Sequence, residues 1–283
     1  MKLSVFNREK NRELLRAEGG ERVHLVYDPA YRKGDEIRME GLEAGFYEIR
    51  LEDTLPPTMV YCSAEKAVFP IPFGVDRAGF SPRSFTGRRH FIEVRKADET
   101  GLGTRRNLAF NPHDQNENKG IYPHMSTNVT YADTLRNRIF PDRGLFAPRN
   151  VIDGILANES HRLYPHQSWG INRNSSAWLT IDFGRPVDIN TLRLAIRCEF
   201  PHDTYWKQAT VRCSDGSEES IPIRKTSQWQ SYPIVRKGIR SLTLCSLIKS
   251  EEPSAFPALS LMEVYGTGTA FKTGKGGQSD GAV

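Results

Sequence analysis

The 283-residue sequence has no hydrophobic run of the length that a membrane span or a signal peptide requires. Cysteine is scarce: Cys62, Cys198, Cys213 and Cys245 occur without any CxxC spacing, and three of them lie in apolar, strand-like segments. This pattern favours buried free thiols in a reducing compartment. We therefore expect a cytoplasmic protein without a membrane span, or an extracellular protein if a targeting segment has been removed.

The motifs of common enzyme classes are also missing. The sequence has no Gly-x-Ser-x-Gly nucleophile elbow, no Walker loop, no dinucleotide-binding glycine fingerprint and no His-x-x-x-His pair. The net charge of +5 arises from 39 basic and 34 acidic residues of interspersed sign, without an RNA-binding or zinc-finger signature. We expect a non-catalytic protein without a nucleic-acid partner, and the sequence leaves the oligomeric state open.

Long helical patterns are few, whereas 17 prolines and 23 glycines separate short segments of alternating polarity. In the first hundred residues this alternation predicts strands at residues 23–27, 36–40, 46–51, 59–62, 66–73 and 90–95. The prolines in the fifth of these segments place it at a sheet edge. Residues 7–18 are expected to form a short surface helix. Closely spaced strands of this kind predict a sandwich or jelly roll.

Composition divides the chain into two domains and a tail. Residues 98–104 are polar and contain glycine, as inter-domain linkers do. Residues 268–283 are rich in Gly, Ser, Thr and Lys and are expected to be disordered. We therefore expect an N-terminal domain of unknown role at residues 1–104 and a second domain at residues 105–267.

The second half contains the most informative segment. Residues 178–184 alternate between apolar and polar side chains, which predicts a strand that Gly184 and Pro186 end. An Asp-Gly turn at Asp153 precedes it, followed by a loop rich in Asn, Ser, His and Trp. A rigid β frame that displays such a loop is typical of a binding surface.

Further segments extend this pattern: a predicted opening strand at residues 107–109, a hairpin at 209–217 and a closing strand at 261–266. In order and spacing they resemble the discoidin family, also called the coagulation factor 5/8 C-terminal or galactose-binding-like domain. Members of that family mostly bind sugars on glycans, and sometimes lipid headgroups or proteins. The expected fold class is all-β, with two jelly-roll-like β-sandwich domains, the second galactose-binding-like.

The resemblance implies a sugar site on loops at one end of the second sandwich. Sugar recognition needs an aromatic ring against the apolar face of the sugar and polar side chains for its hydroxyls. Two loops supply both, with His161, Tyr164, His166, Gln167, Trp169 and Asn172 in the first and Arg197, His202, Asp203, Tyr205 and Trp206 in the second. Alternative roles are a core lid for Trp169 and Trp206, and a solvated strand face for Arg197.

Histidine is concentrated after proline in this half. His113, His124, His166 and His202 each follow a proline, so each ring is expected at a constrained turn. Three interpretations remain open. The rings are satisfied separately by the backbone, or they converge on a polar ligand site, or they form a transition-metal or catalytic centre.

The family resemblance also implies a structural calcium ion near the Asp-Gly turn. The matching oxygen donors here are Asp153, Asn158 and Glu263. In this chain the turn continues with the apolar residues 155–157 rather than with a compact polar loop.

The sequence as a whole predicts a non-catalytic protein whose partner is a carbohydrate or glycoconjugate. Two alternatives remain. One is a metal- or His/Asp-dependent enzyme acting on a carbohydrate, which requires the His and Asp side chains to converge. The other is an intracellular protein-interaction scaffold, which requires an exposed apolar patch.

Overall fold

The computed structural model describes residues 1–115, 120–131, 142–157, 164–165, 168–198 and 204–268. In these residues the chain is almost entirely β, which confirms the predicted fold class. The strands are β1 (Lys2–Asn7), β2 (Arg12–Glu18), β3 (Arg22–Tyr27), β4 (Asp35–Glu40), β5 (Gly45–Arg50), β6 (Thr58–Cys62), β7 (Lys66–Pro70), β8 (His90–Lys96), β9 (Arg106–Asn107), β10 (Ile121–Tyr122), β11 (His124–Thr127), β12 (Trp169–Gly170), β13 (Leu179–Arg197), β14 (Trp206–Cys213), β15 (Glu218–Pro222), β16 (Gln230–Tyr232), β17 (Arg236–Lys249) and β18 (Ala258–Gly268).

Helical structure is short wherever the structure describes the chain. It comprises α1 (Asp142–Leu145) and 3-10 turns at Gly74–Gly79, Glu99–Gly101 and Pro148–Ile152. None of the described helices has the length and apolar character needed to cross a bilayer.

The N-terminal half consists of two antiparallel sheets with the strand orders β2-β1-β4-β7 and β10-β6-β5-β8-β3. Alternate residues Val23, Leu25 and Tyr27 of β3 are buried and share one core with Leu3 and Ile37 of the opposite sheet. A period of two places these side chains on one face, which two sheets then bury between them. The edge position of β7 agrees with the prolines that follow it.

The helix predicted at residues 7–18 is wrong. The chain instead forms a hairpin in which β2 pairs with β1, and Asn11 makes the turn with a positive φ of 46°. Asparagine tolerates this left-handed conformation better than most residues do. The segment has no apolar stripe of helical period, so pairing with β1 decides its structure.

In the C-terminal half, β13 is a single strand of 19 residues. The predicted end of this strand at Gly184 and Pro186 is wrong, because the backbone only shifts register between Asp182 and Val187 and then resumes pairing. Gly184 has a φ of +68°, and a Cβ there would lie 2.5 Å from the Tyr122 ring. Glycine at this position therefore lets the strand bulge and continue, where another residue would force it to end.

Because of this bulge, the single strand β13 pairs with several other strands of the C-terminal half. It pairs with β17 on both sides of the bulge, with β11 up to Asp182 and with β18 from Val187. The predicted hairpin is present as β14 and β15, and the predicted closing strand is part of β18. Buried residues from Leu108 to Val264 form a separate core around these strands.

The chain passes between the two halves more than once. β9 pairs with β18, β10 pairs with β6 of the N-terminal half, and β11 returns to β13. Ile121 consequently belongs to the core of the N-terminal half, although it follows the predicted boundary at residue 104. These crossings bring residues of both halves into one junction.

Candidate functional site

Strand register brings the two predicted loops to one end of the C-terminal half. Arg197, at the end of β13, pairs with Ala258 at the start of β18. Trp169 of β12 pairs with the next residue, Leu259. Antiparallel partners lie about 5 Å apart, so the first loop ends close to the point where the second begins.

Two tryptophans join the bases of these loops. The ring centroids of Trp169 and Trp206 lie 5.8 Å apart with an interplanar angle of 32°. Trp169 is 0% exposed and Trp206 is 2% exposed, so neither ring is open to stack on a ligand. The structure therefore gives both residues the alternative role of a lid on the core.

The buried end of the sandwich is also polar. Within the described part of the chain, the indole N–H groups of Trp169 and Trp206 and the hydroxyls of Ser168 and Ser260 have no hydrogen-bond partner. Arg197 is 1% exposed, and the alternative in which it shares a solvated face with Arg193 is wrong. A register shift between Ala195 and Ile196 interrupts the alternation and turns Arg197 inward.

Three other candidates are accessible. Tyr164 is half-buried, and Tyr205 is half-buried against the core. Asn172 is exposed, has a φ of 45°, and donates from its Nδ2 to the Thr130 carbonyl at 3.0 Å. His161, His166, Gln167, His202, Asp203 and Asn158 lie outside the described residues, so their roles stay predictions.

Tyr164 also lines a cavity of about 300 Å³ at the junction of the two halves. The cavity has polar and aromatic walls, formed by Thr54, Leu55, Pro56, Gly79, Phe80, Ser81, Phe110, Pro112, Arg149, Asp153, Gly154, Ile155 and Tyr164. Burial raises the pKa of the Tyr164 hydroxyl, and the charge of Asp153 adds to this effect against that of Arg83. The volume is at the lower end of the range for small-molecule sites, about 300–1,000 Å³.

The two described members of the predicted histidine cluster have separate structural partners. His113 is 1% exposed, and its Nε2 accepts a hydrogen bond from the Leu51 N–H at 3.3 Å. Burial, helped by the positive charge of Arg149, lowers the pKa of His113 to about 3. The ring is therefore neutral at physiological pH and joins the two halves.

His124 is paired with a buried carboxylate. Its Nδ1 lies 2.8 Å from one Asp114 oxygen, and the other Asp114 oxygen accepts the Met125 N–H at 2.8 Å. Burial by itself lowers the pKa of His124, but the charges of Asp114 and Asp182 and the hydrogen bond to Asp114 raise it overall. The ring therefore keeps its proton to a higher pH than an unpaired imidazole does.

This pairing predicts a pH-dependent stability. Because the pKa of His124 is higher in the folded chain, its contribution is fully present below the unfolded value of about 6.5 and is lost as pH rises through the folded value. We expect the unfolding free energy of His124→Gln to differ most from wild type near about pH 5.5 and less near about pH 8.5. Urea unfolding across this range measures it.

His24→Gln is the matched control, because His24 is exposed on β3 and its ring contacts that of Phe91 rather than a buried carboxylate. Its difference from wild type should stay small at each pH. A deficit in His124→Gln that does not change with pH would contradict the ion pair.

The predicted calcium ligands have partners of their own. Asp153 accepts the Ile155 N–H at 2.8 Å. Glu263 accepts a hydrogen bond from Arg193 at 2.7 Å on the outer face of the sheet. In the described part of the chain no group of three or more His, Cys, Asp or Glu residues is arranged to hold a metal ion. With Asn158 outside that part, the calcium site stays a prediction.

A buried polar network at the junction was not predicted from sequence. The Arg149 guanidinium donates to the carbonyls of Asp114 at 2.9 Å, Gly79 at 3.0 Å and Pro112 at 2.9 Å, and lies over the Phe80 ring. The neighbouring Asn150 side chain donates to three carbonyls between 3.0 and 3.2 Å away. The sequence indicates the adjacent Asp-Gly turn. It does not indicate this network, because the hydrogen-bond partners are backbone carbonyls, which every residue has.

The chain matches no protein-family model, and no curated protein matches it. Solved structures are similar to part of it. The family 32 carbohydrate-binding module of C. perfringens NanJ in complex with galactose is 10% identical, covering 50% of this chain and 91% of that one, with a TM-score of 0.35. The lectin domain of lectinolysin with Lewis B antigen is 13% identical, covering 58% and 98%, with a TM-score of 0.40.

A third similar structure is the F5/8 type C domain of a Bacteroides fragilis protein. It is 12% identical, covering 50% of this chain and 90% of that one, with a TM-score of 0.37. These three similar structures are thus a carbohydrate-binding module, a lectin domain and an F5/8 type C domain.

Proposed function

We propose that this protein binds a carbohydrate or glycoconjugate, without catalysis, through residues 158–172 and 197–206. The observation that carries the proposal is the contact between Trp169 and Trp206, whose ring centroids lie 5.8 Å apart. Two loops that leave one rigid base can act on one ligand, because their contact residues are held at a short and fixed separation. The aromatic, histidine, aspartate and amide side chains of these loops suit sugar hydroxyls and C–H faces.

The burial of each candidate residue indicates its role in the proposed site. In this proposal Trp169, Trp206 and Arg197 support the site from below, since all three are buried. Tyr164 and Tyr205 supply accessible ring surface to stack on the sugar. Hydrogen bonds come from Asn172 and from His161, His166, Gln167, His202 and Asp203.

The cavity beside Tyr164 gives the proposal a second support. Because Tyr164 belongs to the first loop and also lines this cavity of about 300 Å³, a ligand bound by the loop can extend into the cavity. Asp153 in the same cavity is an acceptor for hydroxyl groups, and the Phe80 and Phe110 rings are apolar walls. Polar groups beside aromatic surface are the combination that sugar recognition needs.

We expect His202→Ala combined with Asp203→Ala to weaken glycan binding at least tenfold, because about 1–3 kcal/mol is lost when one hydrogen-bonding group is removed from a buried contact. Tyr164→Ala should weaken it by a similar factor through loss of stacking. Calorimetric titration with the best-bound glycan, in calcium and in EDTA, measures both effects and any contribution of calcium.

Trp229→Ala is the matched control, since Trp229 is an accessible aromatic residue that stacks with Arg193 rather than joining either loop. Its affinity should equal that of wild type. If the loop variants bind as wild type does, the site lies elsewhere and the proposal fails.

A further inference from the structure

A pair of arginines lies at the junction of the two halves, away from the loops. The Arg185 guanidinium lies 4.5 Å from the centroid of the Phe46 ring and 5.8 Å from that of Tyr61. The Arg106 guanidinium lies 5.6 Å from the same Phe46 ring. Two cations thus share one aromatic platform.

Neither arginine has an acidic partner among the described residues. Arg185 donates to the Pro186 carbonyl and Arg106 to the Leu102 carbonyl, each at 3.2 Å. Arg185 is 5% exposed, and its buried Nε has no hydrogen-bond partner in the described part of the chain. Burial lowers the pKa of Arg185 to about 10, and the nearby charge of Arg106 contributes.

Such an arrangement is costly without a counterion. Two like charges repel one another more strongly when they are buried, and a buried donor left unpaired loses its hydration. Folded proteins normally pair buried charges. Within the part of the chain that the structure describes, the two arginines therefore have no negative charge beside them, and a bound anion would supply it.

The space beside them is small and bounded by rings. A cavity of about 30 Å³ is lined by both arginines, by Asn107, and by the rings of Tyr61 and Tyr122. One water needs roughly 10–15 Å³ of such volume, so the cavity has room for about two oxygen atoms. This suits the two oxygens of a carboxylate whose carbon lies outside the cavity better than the four oxygens of phosphate or sulfate.

We infer that Arg106 and Arg185 bind the carboxylate group of a small anionic ligand at this junction. A planar guanidinium donates two parallel hydrogen bonds to a carboxylate, and the unpartnered Nε of Arg185 is one of the donors in that fork. Neither arginine belongs to the proposed sugar loops, although Phe110 borders both this cavity and the one that Tyr164 lines. Arg185 lies twelve positions before Arg197 along β13.

The test uses acetate as the probe and the full chain. Calorimetric titration of sodium acetate into wild type, at ionic strength held constant with sodium chloride, should give saturable one-site binding. Arg185→Met and Arg106→Met should each weaken it at least tenfold. Arg105→Met is the matched control and should leave it unchanged, because Arg105 is an exposed arginine that stacks on a different ring, that of Tyr265.

Thermal unfolding adds a second readout. Without acetate, Arg185→Met should be at least as stable as wild type, because an apolar side chain replaces an uncompensated buried charge. Acetate should raise the Tm of wild type and leave that of Arg185→Met unchanged. If Arg185→Met does not fold, the effect of acetate on Tm is compared between wild type and Arg106→Met instead, because Arg106 is only half-buried.

Three results would overturn the inference. Wild type could show no saturable acetate binding beyond the effect of chloride. Arg105→Met could lose binding as fully as Arg185→Met does. Phosphate or sulfate could bind more tightly than acetate at the same ionic strength, which would reject the carboxylate. None of these results bears on glycan binding by the loops, so failure here is distinct from failure of the proposed function.

Discussion

Arg149→Ala is expected to be strongly destabilised, with a loss of about 3–5 kcal/mol in the free energy of unfolding. Its guanidinium is 4% exposed and donates to three backbone carbonyls, one of them Gly79 in the N-terminal half. Removal leaves those buried carbonyls without donors and opens space over the Phe80 ring. Urea unfolding monitored by circular dichroism measures the loss.

Two comparison variants make this expectation specific. Arg149→Lys should recover little of the loss, because an ammonium group cannot reproduce the planar fork that reaches several carbonyls at once. Arg240→Ala should change stability by less than about 0.5 kcal/mol, because Arg240 is an exposed residue of β17. A loss below about 1 kcal/mol in Arg149→Ala would mean that the network does not join the two halves.

Trp206→Ala is expected to destabilise the chain by about 3–5 kcal/mol, the range for truncating a large buried aromatic residue. Trp206 is 2% exposed and packs on Trp169, so truncation leaves a cavity at the base of both loops. Urea unfolding, with near-ultraviolet circular dichroism to follow the tryptophan environment, measures the loss. Any accompanying loss of glycan binding would reflect unfolding rather than a removed contact.

Trp229→Ala is the control for Trp206→Ala, because it removes a tryptophan that is not buried in the core. Trp229 is half-buried, and the Arg193 guanidinium lies 4.5 Å from its ring. Removing such a contact at an accessible site costs about 0.5–1 kcal/mol. Equal losses in Trp206→Ala and Trp229→Ala would contradict the position of Trp206 in the core.

Sequence alone predicted the strands whose side chains alternate between a core and a solvated face. Residues 23–27 are such a case, since β3 buries every second residue as predicted. The same rule failed where the register shifts. The bulge at Gly184 let β13 continue, and the shift after Ala195 turned Arg197 inward. A shift of this kind depends on partner strands far away in sequence, so a local period cannot reveal it.

The sequence named the loops of the candidate site but not the separate roles of their residues. The resemblance to the discoidin family implied a site on loops at one end of the sandwich, and the pairing of Arg197 with Ala258 bears on that position. Composition could not separate the buried Trp169 from the accessible Tyr164, because both are aromatic residues in a polar loop. Which ring is buried follows from tertiary packing.

The same limit applies to the junction. Pro-His pairs drew attention to His113 and His124, yet their partners are the Leu51 N–H and Asp114. Arg149, which joins the halves through the Gly79 carbonyl, and its neighbour Asn150 bind backbone carbonyls. Every residue has a carbonyl, so such partners cannot be identified from sequence.

The most direct test of the proposed function is a glycan-array screen of the full-length protein, in calcium and in EDTA, alongside the variant that combines His202→Ala with Asp203→Ala. The proposal predicts selective binding to a defined set of glycans, with that binding lost in the variant while its thermal unfolding matches wild type. Absence of selective binding under both conditions, or equal binding by the folded variant, would contradict carbohydrate recognition by these loops.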